Sequence, residues 1–262
     1  MIIVLFSAIV LAASVLGAMA GVGGGVIIRP ALDAFAYYEN VSVTNLTSSF
    51  CVFAVAVTSV TRHALKKTEF NTSASVLLGI SAAVGGIIGK TVFRIIKEKS
   101  EGAPVTVIQS VILILLISFV IVYVLALREK VRFEIKSRPL ILAVGLALGF
   151  FSSLLGIGGG PINVAVLCLF FGMDMKSASI NSLLIIIFSQ LGNLALSAAT
   201  GEMFGCGMNW AHLCVLVAVA VAGSLCGTYL NRKLSEKTIS TFYVVTMFII
   251  IAINVYNVIR YL

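Results

Sequence analysis

Eight long apolar stretches leave this chain almost no way to fold in water; they cover residues 1–20, 41–61, 70–89, 104–127, 139–155, 180–199, 211–230 and 238–259. A helix of about 20 residues at 1.5 Å rise crosses a hydrocarbon core of roughly 30 Å, so most of these stretches are long enough to span a bilayer. Of the 262 residues 60% are hydrophobic and 11% are charged, where ordinary soluble domains carry about 25% charged residues. A soluble fold is excluded, and because lipid offers no partner to an open backbone, an all-α polytopic membrane protein is predicted.

The formal net charge of +8 would suggest nucleic acid in a soluble protein. Here the Lys and Arg residues sit in short loops between apolar stretches, where they set topology by collecting on the cytoplasmic side. No nucleic-acid partner is expected. The cysteines, Cys51, Cys168, Cys206, Cys214 and Cys226, show no CxxC spacing; they read as small hydrophobes, and neither a metal nor any other cofactor is expected. Ala18-Met19-Ala20 imitates a cleavage site, but no basic segment precedes the apolar run, so the segment is expected to stay in the protein.

The chain repeats itself. Gly21-Val22-Gly23-Gly24-Gly25 recurs as Gly156-Ile157-Gly158-Gly159-Gly160, 135 positions on, and Gly85 and Gly89 recur as Gly223 and Gly227, 138 positions on. This divides the chain into a first membrane repeat at 1–127, a basic linker at 128–138 and a second repeat at 139–262. Eight simple crossings would split Lys and Arg almost evenly between the two faces, eight against nine. If each glycine segment is instead a broken hairpin that enters and leaves by one face, the loops carry twelve against five, which obeys the positive-inside rule. The predicted fold is therefore two inverted repeats, each a glycine-broken helical hairpin plus three transmembrane helices, with the breaks meeting near the bilayer midplane. The N-terminus is placed outside and the linker inside.

Three consecutive glycines break a helix and let a ligand approach the backbone without a Cβ in the way. The helix that restarts after them offers open N–H groups and the positive end of its dipole, an anion site. Close helix packing is the plainer reading for Gly85-x-x-x-Gly89 and Gly223-x-x-x-Gly227. The candidate substrate-binding backbone is thus Gly23, Gly24, Gly25, Gly158, Gly159 and Gly160. Gln190, Asn193 and Ser197 share one helix face, and either an interhelical hydrogen bond or a substrate contact would satisfy them. Asn45 and Asn181 open the spans after the two hairpins, as helix caps or as anion contacts. Arg29, the one strong cation near a glycine loop, either neutralises an anion or snorkels to the interface. Tyr37, Tyr38 and Trp210 suit an interfacial belt.

Gly21–Leu32, GVGGGVIIRPAL, and Gly156–Leu167, GIGGGPINVAVL, resemble the duplicated signature of the TauE/SafE sulfite exporters, and the resemblance extends to Asn231–Ile239, NRKLSEKTI, before the last span. It implies a secondary transporter that exports sulfite, sulfoacetate or related small organosulfur anions across the cytoplasmic membrane without ATP. Pro30 has Ala165 as its counterpart, and Pro161 lies elsewhere in its loop, so the second loop departs from the first. No catalytic residue is expected: His63, Glu69, Glu202 and His212 fall at span ends, nothing joins a nucleophile to a base, and no GxxxxGK[ST] loop exists. A passive anion channel using the same loops is the alternative. The expected partners are a small anion and the bilayer, with a second copy of the chain admitted.

Overall fold

The computed structural model of the protein describes residues 2–34, 40–66, 72–99, 103–128, 130–155 and 158–261. Tyr37, Tyr38, Glu69 and the first two residues of the second glycine motif, Gly156 and Ile157, lie outside the described residues. Most of the described residues are helical, and none of them forms a strand. The elements are α1 Ile2–Ala20, α2 Gly25–Ala34, α3 Val41–Leu65, α4 Thr72–Lys99 and α5 Ala103–Val122, which ends in the π-helical turn Tyr123–Leu127. After the linker come α6 Arg138–Leu154, α7 Gly160–Phe171, α8 Met175–Ala199, the short α9 Glu202–Gly205, α10 Trp210–Lys233 and α11 Glu236–Tyr261. By length and hydropathy, seven of the described helices could cross a membrane, while α6 and α7 are shorter apolar helices.

Polar side chains start the long helices. The Asn40 carboxamide accepts from the Ser42 N–H at the head of α3, Asp174 accepts from Lys176 and Ser177 at the head of α8, and Asn209 accepts from Ala211 and His212 at the head of α10. Each satisfies N–H groups that a helix start leaves open. Neither Asn45 nor Asn181 does this job, because both stand inside their helices.

The glycine segments turn the chain back on itself. Eleven residues of unbroken helix would separate Ala13 from Gly24 by about 16 Å, yet a Cβ on Gly24 would lie 2.9 Å from the Ala13 carbonyl oxygen. In the second half a Cβ on Gly159 would lie 2.9 Å from Ser152 Oγ. Gly17 faces Gly24 as Ser152 faces Gly159, and both members of the second pair follow their counterparts by the same 135 positions.

The halves interleave rather than sit side by side. Gly85 and Gly89 of α4 press on the carbonyls of Leu146 and Phe150 in α6, and Gly223 and Gly227 of α10 press on those of Leu11 and Val15 in α1. Each hairpin is thus clasped by a helix of the opposite half. These contacts advance together along both chains, so α4 runs with α6 and α10 with α1. Ser224 to Val55 and Ser59 to Thr228 set α3 parallel to α10, and Ser75 to Asn181 with Gly79 against Phe188 set α4 parallel to α8. Asn193 to Ser49, with Val52 and Ala56 packed among Leu183 and Ile186, makes α3 antiparallel to α8. It follows that α1 runs opposite to its counterpart α6.

Charge gathers by ends. At one end Arg128 pairs with Glu236 at 2.9 Å, and the Lys176 ammonium donates to the carbonyls of Arg232 and Leu234. At the other end Asn40 donates to the Cys206 carbonyl and Lys90 pairs with Glu202 at 3.1 Å.

A Cβ at Gly85 or Gly227 meets backbone, which cannot rotate away. Gly85→Ala and Gly227→Ala should each cost roughly 1–3 kcal/mol by overpacking, read as a lower Tm of the detergent-solubilised protein. Gly205→Ala, with nothing within 4 Å of the added carbon, should leave Tm unchanged.

Candidate functional site

The two glycine loops meet. The Ser182 hydroxyl of α8 lies 2.8 Å from the Gly21 carbonyl oxygen, to which it donates, and 3.4 Å from that of Gly160. Gly160 sits so close to the Val22 backbone that no side chain fits between them. Gly21, Gly23 and Gly24 have φ of +75°, +75° and +79°, and Gly158 and Gly159 have +66° and +86°, a left-handed backbone that glycine adopts without penalty. Glycine is therefore required here by conformation and by closeness together.

Beside this junction lies a cavity of about 90 Å³, several times the roughly 10–15 Å³ needed to admit one water. Its wall takes Gly25 and Arg29 from α2, Asn45, Ser48 and Ser49 from α3, Lys90 from α4, Ser152 and Ser153 from α6, Gly158 from the second loop, and Ser189, Gln190 and Asn193 from α8. Of the ten residues expected to contact substrate, Gly25, Gly158, Asn45, Gln190 and Asn193 line it. The others are placed elsewhere. Gly23 packs on Ile186 and Val52, Gly24 on α1, Gly159 against Ser152 and Asn163, and Gly160 against Val22. Asn181 is buried among its own partners, accepting from Ser75 at 2.7 Å and donating to the Ser177 carbonyl at 2.8 Å.

The polar stripe on α8 divides its work. Asn193 donates to Ser49 at 2.9 Å, Ser197 accepts from Lys90, and Gln190 faces the cavity. Gln190 Oε1 and Ser152 Oγ are buried without a hydrogen-bond partner among the described residues, and both residues are only 5% exposed. Buried polar atoms ordinarily find partners, so two open ones on one cavity wall mark a place for a polar guest. Among the described residues no Asp or Glu lines the wall, while Arg29 and Lys90 do.

Lys90 is the residue that reading by hydropathy overlooks. The apolar stretch ends at Gly89 and seems to leave Lys90 in a loop, but α4 continues to Lys99 and holds the ammonium inside the bundle. The signal was present in the helix-forming run that follows Gly89, which carries no Pro or further Gly before Lys99. Lys90 donates to Ser197 Oγ and to Glu202 Oε2. Burial pushes the Glu202 carboxyl up, but the Lys90 charge and hydrogen bonds with Ser42, Lys90 and Ser197 outweigh it and hold the group below the usual carboxylate range. Arg29, for which snorkelling was the competing reading, is on the cavity wall.

A helical bundle of this hydropathy, closed around a cationic polar cavity at the junction of two broken helices, defines an integral membrane protein of the transporter class. The chain belongs to the family described as Sulfite exporter TauE/SafE, whose pattern matches residues 5–254. It is 29% identical over 239 residues to a probable membrane transporter protein of Methanocaldococcus jannaschii, covering 85% of this chain and 84% of that one. It is 26% identical over 255 residues to the probable membrane transporter protein YunE of Bacillus subtilis, covering 87% and 88%. No solved structure matches.

The glycines now separate into two kinds. A methyl on Gly158 would stand 2.9 Å from the Gln190 amide nitrogen, inside the cavity, whereas one on Gly24 would strike α1. Both variants bear the strain of a left-handed alanine, on the order of 1–2 kcal/mol. Gly158→Ala should weaken anion affinity by roughly tenfold, equivalent to about 1.4 kcal/mol, in protein that still elutes as a single species. Gly24→Ala should lose folded protein while the remainder binds normally, as measured by size-exclusion yield and binding titration.

Proposed function

We infer that the chain is a secondary transporter that exports small oxyanions of the sulfite, sulfoacetate and related organosulfur class across the cytoplasmic membrane, and that the cavity is its substrate site. One observation carries this reading: a small cavity at the meeting of two glycine-broken helices with two cations and, among the described residues, no acid on its wall, where the buried Ser152 hydroxyl is a donor without a partner. Arg29 and Lys90 attract the anion's charge, and Lys offers rotating donors while Arg offers a planar fork for two oxygens. Gln190 and the serine hydroxyls complete its shell, and the start of α2 at Gly25 adds open N–H groups and a positive dipole end. The size of the cavity favours a compact anion over a bulky one.

In the bilayer the two halves are read as inverted repeats, with the Lys176–Arg232 end cytoplasmic and the Lys90–Glu202 end outside. The antiparallel course of α1 and α6 supports this, as does the meeting of segments rich in Lys and Arg at one end. Single cysteines in a cysteine-free background should label from outside at Gly205 and from inside at Ser137 and Ser235; labelling of Ser137 from outside would overturn the orientation.

Proteoliposomes loaded with labelled sulfite should show saturable efflux that sulfoacetate competes away. Loss of one charge-assisted hydrogen bond, worth roughly 1.5–3 kcal/mol, should weaken affinity about 10- to 150-fold in Arg29→Met and Lys90→Met. Flux that never saturates and shows no counterflow would assign a channel. Normal affinity in both variants would remove the cavity from the transport path.

A further inference from the structure

Lys90 already holds an anion. Its ammonium is shared between Ser197 of α8 and the carboxylate of Glu202, 3.1 Å away on the short helix α9, while the same residue lines the cavity. Lys90 and Glu202 keep side-chain exposures of 26% and 28%, so the pair is reached by water from the end where α9 lies. Glycines flank α9 on both sides, Gly201 and Gly207, each at φ +73° with open space around it, and Gly205 closes the helix with equally open space. The carboxylate thus sits on a short helix whose glycines meet no neighbour, although Met203 and Cys206 pack on the apolar side chains of α3 and α10 and Asn40 donates to the Cys206 carbonyl.

We propose that Glu202 is a tethered competitor for the anion site, and that binding of the substrate anion at Lys90 is coupled to uptake of a proton by Glu202. This rests on the reading of the cavity as an anion site. With the cavity empty, the Lys90 ammonium is neutralised by Glu202. When an anion enters and takes hydrogen bonds from the same ammonium, Glu202 loses part of its counter-charge and gains a like-charged neighbour, and both effects favour its protonated form. The balance is one anion bound and up to one proton taken from water onto the Glu202 carboxylate, with Lys90 remaining an ammonium throughout. By reciprocity, protonating Glu202 frees Lys90 and tightens anion binding by the same factor. Its carboxyl is held below the usual carboxylate range while paired to Lys90 and rises when the anion arrives, so affinity must increase as pH falls between those two values.

The groups around Glu202 are few. Lys90 of α4 supplies the charge that acts on it, and α3 and α8 supply the hydroxyls of Ser42 and Ser197. Arg94 stands one turn beyond Lys90 on α4, Arg29 lies across the cavity on α2, and His212 is in the first turn of α10.

The test uses the purified, detergent-solubilised chain and methanesulfonate, a strong-acid anion whose own charge is constant over the titrated range of about pH 4 to pH 8. Titrations in two buffers of different ionisation enthalpy report both affinity and protons taken up. The wild type should bind more tightly as pH falls, by up to about tenfold per pH unit, with net proton uptake. Glu202→Gln, a neutral copy of the protonated side chain, should bind at every pH at least as tightly as the wild type does at its lowest, with no proton uptake. Glu202→Asp should restore the slope, and His212→Gln should leave it in place. A wild-type affinity that is flat with pH, or a slope that survives in Glu202→Gln, would overturn the coupling while leaving the anion site standing. If the wild type binds neither methanesulfonate nor sulfite at any pH, the anion site itself fails and the coupling goes with it.

Discussion

The arrangement depends on one demand: a backbone group opened inside a membrane must find its partner within the protein. Two helices are broken in this chain, and each break exposes carbonyls and N–H groups that lipid cannot satisfy. The breaks are placed against each other, with Gly160 on the Val22 backbone and Ser182 reaching the Gly21 and Gly160 carbonyls. Neither loop could take its shape alone. Beside this junction, on the cavity wall, the side chains of Gln190 and Ser152 are among the buried polar groups that keep unpartnered atoms among the described residues.

Bringing the two loops together requires the hairpins to be held from outside, and small residues do this. Where no hydrophobic effect separates helices from lipid, close packing of backbones is a main source of association. Gly85, Gly89, Gly145 and Gly149 let α4 and α6 touch carbonyl to Cα, and Gly223 and Gly227 do the same for α10 on α1. Because each clasp joins one half to the other, the junction of the loops and the clasps stand or fall together. The position of Lys90 follows from this: one residue past Gly89, it projects from a helix fixed against the hairpin whose serines share its cavity.

Much of this was legible in the residues. A glycine triplet repeated at one offset and a spaced glycine pair repeated at nearly the same offset give the duplication, the breaks and the clasps, since each needs a residue with no side chain and no other residue serves. Half of the ten candidate residues come together at the cavity. Gly25, Gly158, Asn45, Gln190 and Asn193 reach the cavity, but Gly24 and Gly160 are glycine for packing. One pattern serves both purposes, and only the neighbour in space tells them apart. Asn45 and Asn181 look alike in sequence and differ in fate because Ser75 meets Asn181. Lys90 was hidden by the habit of ending a span at its first charge, although a lysine stem readily carries an ammonium from inside a helix to a polar cavity.

Duplication predicts two cavities, one for each half, and the cationic wall occurs once. At the offset of the spaced glycines the counterpart of Lys90 is Thr228, buried and bonded to Ser59 at 2.8 Å. At the offset of the glycine triplets the counterpart of Arg29 is Val164, fully buried, and that of Ser152 is Gly17, packed on Gly24. The frame has been kept in both halves while the charge has been placed in one. The cations of the described cavity thus stand on one face of the frame, and any long-range attraction they exert on an anion is one-sided.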